Sequence, residues 1–255
     1  MRKSIVAAGA ALAALTSGVG YAKDKPTIVL VHGAFAESGS WSGVIAELEG
    51  HGYPVIAAAN PLRSVAGDAA SVGALVKSVP GPVVLVGHSY GGPVITDAAA
   101  GTSNVKALVY VSAFAPDVGE SALGLTGKFP GSTLGDTLHT VSTSDGGTDL
   151  FVLKTKFHAQ FAADVPASTA ATMATTQRPV AKAALEEPTK LAAWKTIPNW
   201  WIYGSADKNI PPAAMAFMAE RSKAHKAVRV EGGSHALMVS HPHEVAQIIE
   251  EAAAN

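Results

Sequence analysis

Pro82-Val83-Val84-Leu85-Val86-Gly87-His88-Ser89-Tyr90-Gly91-Gly92 joins a short apolar run to the start of a helical pattern. The run Pro82–Val86 is almost continuously apolar, as in a strand covered on both faces. Between run and helix lies G-x-S-x-G. A serine on a sharp strand-to-helix turn needs strained backbone angles and close approach of the chain on both sides. Glycines two before and two after it give that room. Such a turn lifts Ser89 Oγ above the sheet, at the positive end of a helix, where developing negative charge is favoured. The plainer alternative is a tight turn whose serine only caps the helix.

Outward from this turn the pattern repeats. Strand candidates are Thr27–Val31, Pro54–Ala58, Pro82–Val86, Val105–Val111, Asn199–Tyr203 and Lys226–Val230. Helical patterns fall between and after them at Ser40–Glu49, Val65–Ser78, Gly92–Ala100, Pro211–Lys223 and Pro242–Ala253. This alternation predicts an α/β fold: a doubly wound, mostly parallel six-stranded sheet with right-handed crossovers. Ligands of such sheets bind beyond the carboxyl ends of the strands. From Ala115 to Pro198 the alternation stops. Ser121–Gly147 is rich in Gly, Ser and Thr, while Asp149–Ala163 and Ser168–Leu185 have helical patterns. So long a stretch without structure is uncommon inside a domain. The expectation is a small helical cap, residues 115–198, inserted after the fourth strand of a core formed by 23–114 and 199–255.

Composition narrows the function. Of 255 residues, 48% are hydrophobic and 15% charged, with a net charge of -1. No broad basic surface is expected, so neither nucleic acid nor an anionic membrane is an expected partner. The absence of cysteine excludes a thiol nucleophile, Cys-ligated zinc or iron–sulfur, and a disulfide framework. Arg2 and Lys3, the Ala-rich stretch Ser4–Gly20, and Gly20-Tyr21-Ala22 read as a signal peptide of residues 1–22, cleaved after Ala22. Ser4, Thr16, Ser17 and several glycines interrupt that stretch, which argues against a retained membrane helix. The expected location is secreted or periplasmic, without membrane attachment after cleavage.

A serine nucleophile needs a base. Among nine histidines, His235 stands in the Gly-rich loop Glu231-Gly232-Gly233-Ser234-His235 after the last strand candidate. Its ring should therefore reach the edge that carries Ser89. His88, inside the turn, should point away. His241 and His243 could ligate a metal, but an H-x-H pair without further ligands is weak support for one. The base in turn needs a carboxylate to set its tautomer and stabilise the imidazolium. Asp207, just after the strand Asn199–Tyr203, is placed for this. Asp117, past the fourth strand, is the alternative, and Asp207 could equally cap its own loop. Val31-His32-Gly33-Ala34-Phe35 turns away from the first strand, so the Ala34 N–H can join the Tyr90 N–H in an oxyanion hole. Phe35, Tyr90, Leu237, Met238, Phe157 and Phe161 are candidates for an apolar substrate pocket, or for ordinary core packing.

These residues together resemble the α/β-hydrolase superfamily. The resemblance runs from about Pro26 to the C-terminus. Its motifs are Val29-Leu30-Val31-His32-Gly33-Ala34, Gly87-His88-Ser89-Tyr90-Gly91-Gly92, Asp207 ahead of Ile210-Pro211, and Ser234-His235-Ala236-Leu237-Met238. The branch it is most similar to holds small bacterial carboxylesterases, pyrethroid-hydrolase-like enzymes, plant methyl esterases and hydroxynitrile lyases. The order Ser89, Asp207, His235 is that family's triad order. Dehalogenase and epoxide-hydrolase relatives carry Asp where this chain has Ser89. The lyases carry Lys after the catalytic histidine and Thr at the oxyanion turn, where this chain has Ala236 and Gly33. The resemblance thus implies a serine esterase acting on a small-molecule ester, with no metal or organic cofactor, and the N-terminal pattern adds export. Lactone or amide hydrolysis, perhydrolase chemistry, carbon–carbon or cyanohydrin cleavage, and a non-catalytic ligand-binding role are the rival readings.

Overall fold

The computed structural model describes residues 25–255, so the signal-peptide expectation for residues 1–22 lies outside the described residues. Six parallel strands form the core: β1 (Thr27–Val31), β2 (Val55–Ala58), β3 (Val83–His88), β4 (Val105–Val111), β8 (Asn199–Gly204) and β9 (Lys226–Val230). Their order is β2-β1-β3-β4-β8-β9, with every neighbouring pair parallel. The interior strands β3 and β8 are buried along their whole length, while the edge strand β9 is largely exposed. That gradient is why the apolar runs are densest in the middle of the sheet.

Helix α1 (Ser42–Gly50) carries the chain outward from β1 to β2, and α2 (Val65–Ser78) carries it back to β3. With right-handed crossovers, this reversal puts α1 and α2 on opposite faces. The C-terminal helix (Pro242–Ala254) packs with α1 and lies across β4 and β8, whereas α2 packs with α3 (Gly91–Ala99). The loops after β1 and β3 therefore diverge to opposite faces and open a crevice between adjacent strands, the preferred ligand position in such sheets. Ser64 caps α2 by accepting from the Gly67 N–H at 3.0 Å, a contact worth about 1 kcal/mol. Among the described residues, no helix is long and apolar enough to cross a membrane.

Between β4 and β8 the structure departs from the sequence expectation. The insertion does contain helices: α4 (Ala122–Lys128), α5 (Lys154–Phe161), α6 (Ala167–Thr176) and α7 (Lys182–Glu186). It also holds a three-stranded antiparallel sheet of β5 (Leu138–Ser142), β6 (Thr148–Val152) and β7 (Val180–Ala181). A helical reading of Asp149–Ala163 is thus wrong at its start, and the cap is mixed rather than helical. The hairpin closes through Gly146 N–H to Thr143 O and Thr143 N–H to Gly147 O, both 3.1 Å. Gly146 is left-handed at φ 83°, so a turn followed by a left-handed glycine sets the register.

The insertion is stitched to the core. Arg63 Nη1 donates to Asp149 Oδ1 at 2.6 Å and Nη2 to Pro179 O at 2.9 Å. The Ala181 N–H donates to Leu62 O at 3.0 Å, and the Phe35 N–H donates to Arg178 O at 3.1 Å.

Candidate active site

Strand β3 ends in the turn that carries Ser89, which adopts φ 54°. A left-handed conformation is strained for serine and costs on the order of 1–3 kcal/mol. Surrounding bonds hold it: the Ser89 N–H donates to Val111 O, and its carbonyl accepts from the Gly92 and Phe114 N–H groups. Close packing explains the following glycine. A Cβ on Gly92 would sit 1.9 Å from Phe114 O, so no side chain fits there. Ser89 itself is 7% exposed and opens onto a cavity of about 520 Å³.

The turn after β1 packs directly on this one. A Cβ on Gly33 would lie 2.6 Å from both His88 O and Ser89 Cβ, and 3.0 Å from the Tyr90 N. His32 fixes the turn from behind. Its Nε2 accepts from the Asn60 N–H at 3.1 Å and its Nδ1 faces Gly33 O at 3.0 Å, while Asn60 Nδ2 donates to His32 O at 2.9 Å. A ring that accepts at one nitrogen and donates at the other is neutral. Burial accordingly lowers the His32 pKa to about 4. Ala34 and Tyr90 both line the cavity beside Ser89. Among the described residues, neither of their backbone N–H groups donates to another protein group, unusual for buried amides.

Asp207 and His235 come from the loops after β8 and β9 and meet at the same edge. His235 Nδ1 is 2.7 Å from Asp207 Oδ2, and both side chains are buried. The other oxygen, Asp207 Oδ1, accepts from the Asn209 and Ile210 N–H groups at 2.8 and 2.9 Å. Phe161 packs edge-on against the His235 ring at 4.9 Å between centroids. The His235 loop is clamped on its far side by Asp164, which accepts from the Ser234 N–H at 3.1 Å and from its hydroxyl. Burial opposes ionisation of Asp164, but the Ser234 bonds outweigh it and hold its pKa below the ordinary carboxylate value. The Ser89 hydroxyl forms no hydrogen bond among the described residues.

The remaining candidates separate. His88 turns away from the cavity and its Nε2 donates to His235 O at 3.0 Å; burial, and then the nearby His235, push its pKa well down. Asp117 pairs with Lys195 at 2.5 Å instead of approaching His235. His241 faces Asp164 at 3.3 Å and His243 faces Glu47 at 3.2 Å, so the H-x-H pair diverges. Of the six pocket candidates, Phe35 and Tyr90 line the cavity. Phe157, Phe161, Leu237 and Met238 are wholly buried core residues outside its wall. Apolar type cannot distinguish a cavity wall from the packing behind it.

Several supporting residues have no motif. Tyr90 Oη donates to Asp68 Oδ2 at 3.0 Å in the core. Desolvation raises the Asp68 pKa, although the Arg63 N–H and Tyr90 also bond to it. Gln160, from α5, donates to Lys208 O and Asn209 Oδ1, both at 2.9 Å, bracing the Asp207 loop. Asp68 could have been noticed only as an acid in the first turn after the Ser64 cap.

Known proteins match this architecture. The Alpha/beta hydrolase family matches residues 28–248. A curated relative, the Alpha/beta hydrolase nvfD of Aspergillus novofumigatus, is 29% identical over 254 residues, covering 90% of this chain and 97% of its own. Among solved structures, polyneuridine aldehyde esterase superposes with a TM-score of 0.78 at 21% identity, over 89% of this chain and 98% of its own. A pyrethroid hydrolase from Sphingobium faniae JZ-2 gives 0.71 at 21% identity, over 90% and 97%. At these identities the two structures speak for the fold, and the family match covers nearly all of the sheet. The chain belongs to the alpha/beta hydrolase family.

Proposed function

We propose that this hydrolase cleaves carboxylic esters through an acyl-enzyme on Ser89. Ser89 Oγ attacks the ester carbonyl while His235 Nε2 takes its proton. Asp207 holds the Nδ1–H tautomer and stabilises the imidazolium. The Ala34 and Tyr90 N–H groups bind the oxyanion, each contributing roughly 3 kcal/mol of barrier lowering. His235 then gives its proton to the leaving alcohol. A water deprotonated by His235 attacks the acyl carbon and frees the acid. The Ser89–His235 hydrogen bond forms as substrate docks; such bonds are often loose in a free enzyme.

The observation that supports this reading is the pair of amides without a protein acceptor at Ala34 and Tyr90, two residues that line the cavity beside a strained Ser89. Buried N–H groups without partners are costly, and a reacting carbonyl oxygen supplies what they lack. The test is turnover of p-nitrophenyl butyrate together with labelling by a fluorophosphonate. Wild type should do both, and Ser89→Ala neither. Labelling at another residue, or undiminished turnover by Ser89→Ala, would end the proposal. We further propose export with cleavage after Ala22, supported by the Arg2-Lys3 and Ala-rich pattern. N-terminal sequencing of the protein from the periplasm or medium should begin at Lys23.

A further inference from the structure

The small sheet of the insertion presents a graded face to the cavity. Alternation along β5 turns Leu138, Thr140 and Ser142 to one side, and Thr148 and Leu150 of β6 join them as cavity wall. The register pairs Thr140 with Leu150 and Ser142 with Thr148. Asp149 pairs with Ala181 in β7, the residue before Lys182, and Lys182 lines the same cavity as Thr148. The face thus runs from Leu138 to a polar row of Ser142, Thr148 and Lys182. Among the described residues the hydroxyls of Thr140, Ser142 and Thr148 make no hydrogen bond.

Charge sharpens this. Lys182 is the one charged side chain among the described residues that line the cavity. Its partner Glu186 is 3.4 Å away, half-exposed, and not part of the wall. The nearest acid on the strands, Asp149, turns to the opposite face, where Arg63 holds it at 2.6 Å. Among the described residues, no acidic one lines the cavity wall itself, so Lys182 gives this end a cation paired only with Glu186 outside the wall, whereas Phe35, Phe114 and Ile210 make the Ser89 end apolar.

We propose that the row Ser142, Thr148 and Lys182 binds the remote carboxylate of an amphipathic ester, one that is apolar next to the scissile bond and anionic at its far end. The assignment rests on the ester-hydrolase reading above and names its substrate class. Lys182 supplies the charge, and the hydroxyls donate to the carboxylate oxygens. An ion pair this exposed is weak, so the effect falls on KM by about three- to fivefold and shrinks in high salt.

The experiment compares mono-p-nitrophenyl esters of adipate, suberate and sebacate with methyl-terminated alkanoates of equal length. Wild type should favour the carboxylate series, through KM, once the chain is long enough to span the cavity. Molar salt should remove the preference. In Lys182→Gln the carboxylate-to-methyl ratio of kcat/KM should fall to about one, in Lys182→Glu below one, and in Lys182→Arg it should persist. Turnover of both series with equal efficiency at every length overturns the subsite alone, as does a preference that survives Lys182→Gln. Silence towards both series overturns the ester reading and this proposal with it.

Discussion

Replacing Asp207 by Asn is the sharpest perturbation of the proposed proton path, because the two oxygens of Asp207 have separate duties. Oδ1 is fixed by two backbone donors, the Asn209 and Ile210 N–H groups at 2.8 and 2.9 Å, and Oδ2 faces His235 Nδ1 at 2.7 Å. An asparagine has one acceptor oxygen and one NH₂. Turning the NH₂ towards the two backbone donors would leave them unpaired in a buried site, at about 1–3 kcal/mol for each. The amide oxygen therefore takes the Oδ1 place and the NH₂ faces His235. His235 Nδ1 must then accept, which moves the ring proton to Nε2. A protonated, neutral Nε2 cannot take the proton of Ser89. The expected loss is about 10⁴-fold in kcat, equivalent to roughly 5.5 kcal/mol of barrier. Folding should survive, since the shape and both Oδ1 bonds are kept. The assay is kcat for p-nitrophenyl butyrate beside the rate of fluorophosphonate labelling, with thermal melting as control. Both rates should collapse together while the melt stays cooperative. A folded Asp207→Asn protein within tenfold of wild type would refute the tautomer argument.

Two further outcomes follow from buried contacts. Gly33→Ala places a Cβ 2.6 Å from His88 O and Ser89 Cβ, so the turn must retreat and carry the Ala34 N–H out of line. Loss of one such donor is worth about 10²–10³ in kcat, and kcat should drop by that order, with a stability loss of about 1–3 kcal/mol in denaturant titration from overpacking. His32 is held neutral by burial, with its pKa lowered from 6.5 to about 4. The unfolded chain therefore binds a proton that the native state refuses between these values. Stability is unaffected by His32 above pH 6.5 and falls as pH drops towards 4, by about 3 kcal/mol in all. His88 shifts in the same direction and should steepen the decline. Urea titrations across this range should show it, and a His32→Gln variant that keeps the full slope would count against His32 as a source.

The sheet was legible because its signal is local. Thr27–Val31, Val105–Val111 and Lys226–Val230 form strands, and Val65–Ser78 a helix, at the residues expected from their patterns. Apolarity there reports burial on both faces, or along one helical stripe. The insertion breaks that link. The cavity faces of β5 and β6 carry Thr140, Ser142 and Thr148, because they border a solvent-filled space instead of a core. Their alternation is therefore not hydrophobic, and Asp145-Gly146 was the remaining turn signal. Strand β7 is two residues long and has no period to detect. Ser89, Asp207 and His235 stood out because chemistry restricts their types and positions. Gln160, Asp164 and Asn60 serve by hydrogen bonds to distant backbone, such as the 3.1 Å bond from Ser234 to Asp164. No neighbour in sequence marks that duty.

The insertion also does more than shape the cavity. Phe35 and Leu62 are left-handed at φ 62°, a strained conformation for side-chain-bearing residues. Each bonds to the segment that leads into and forms β7: Phe35 through its N–H to Arg178 O, Leu62 through its O to the Ala181 N–H. The Phe35 bond holds the turn next to Ala34, whose N–H is the proposed oxyanion donor. Glu187, just beyond α7, accepts from the Val65 N–H at 2.6 Å and secures the start of α2. A segment tied to the core at both ends of β7 and α7 is a wall, not a lid that swings as a body. Its two edges then have different consequences. Changes at Thr140, Ser142 or Thr148 alter what the cavity holds, whereas changes at 178–181 reach the backbone donor proposed for the oxyanion. Specificity should vary along β5 with little effect on the proposed chemistry, because the backbone that meets the Phe35 turn is Arg178, ahead of β7, and β5 pairs with β6 alone.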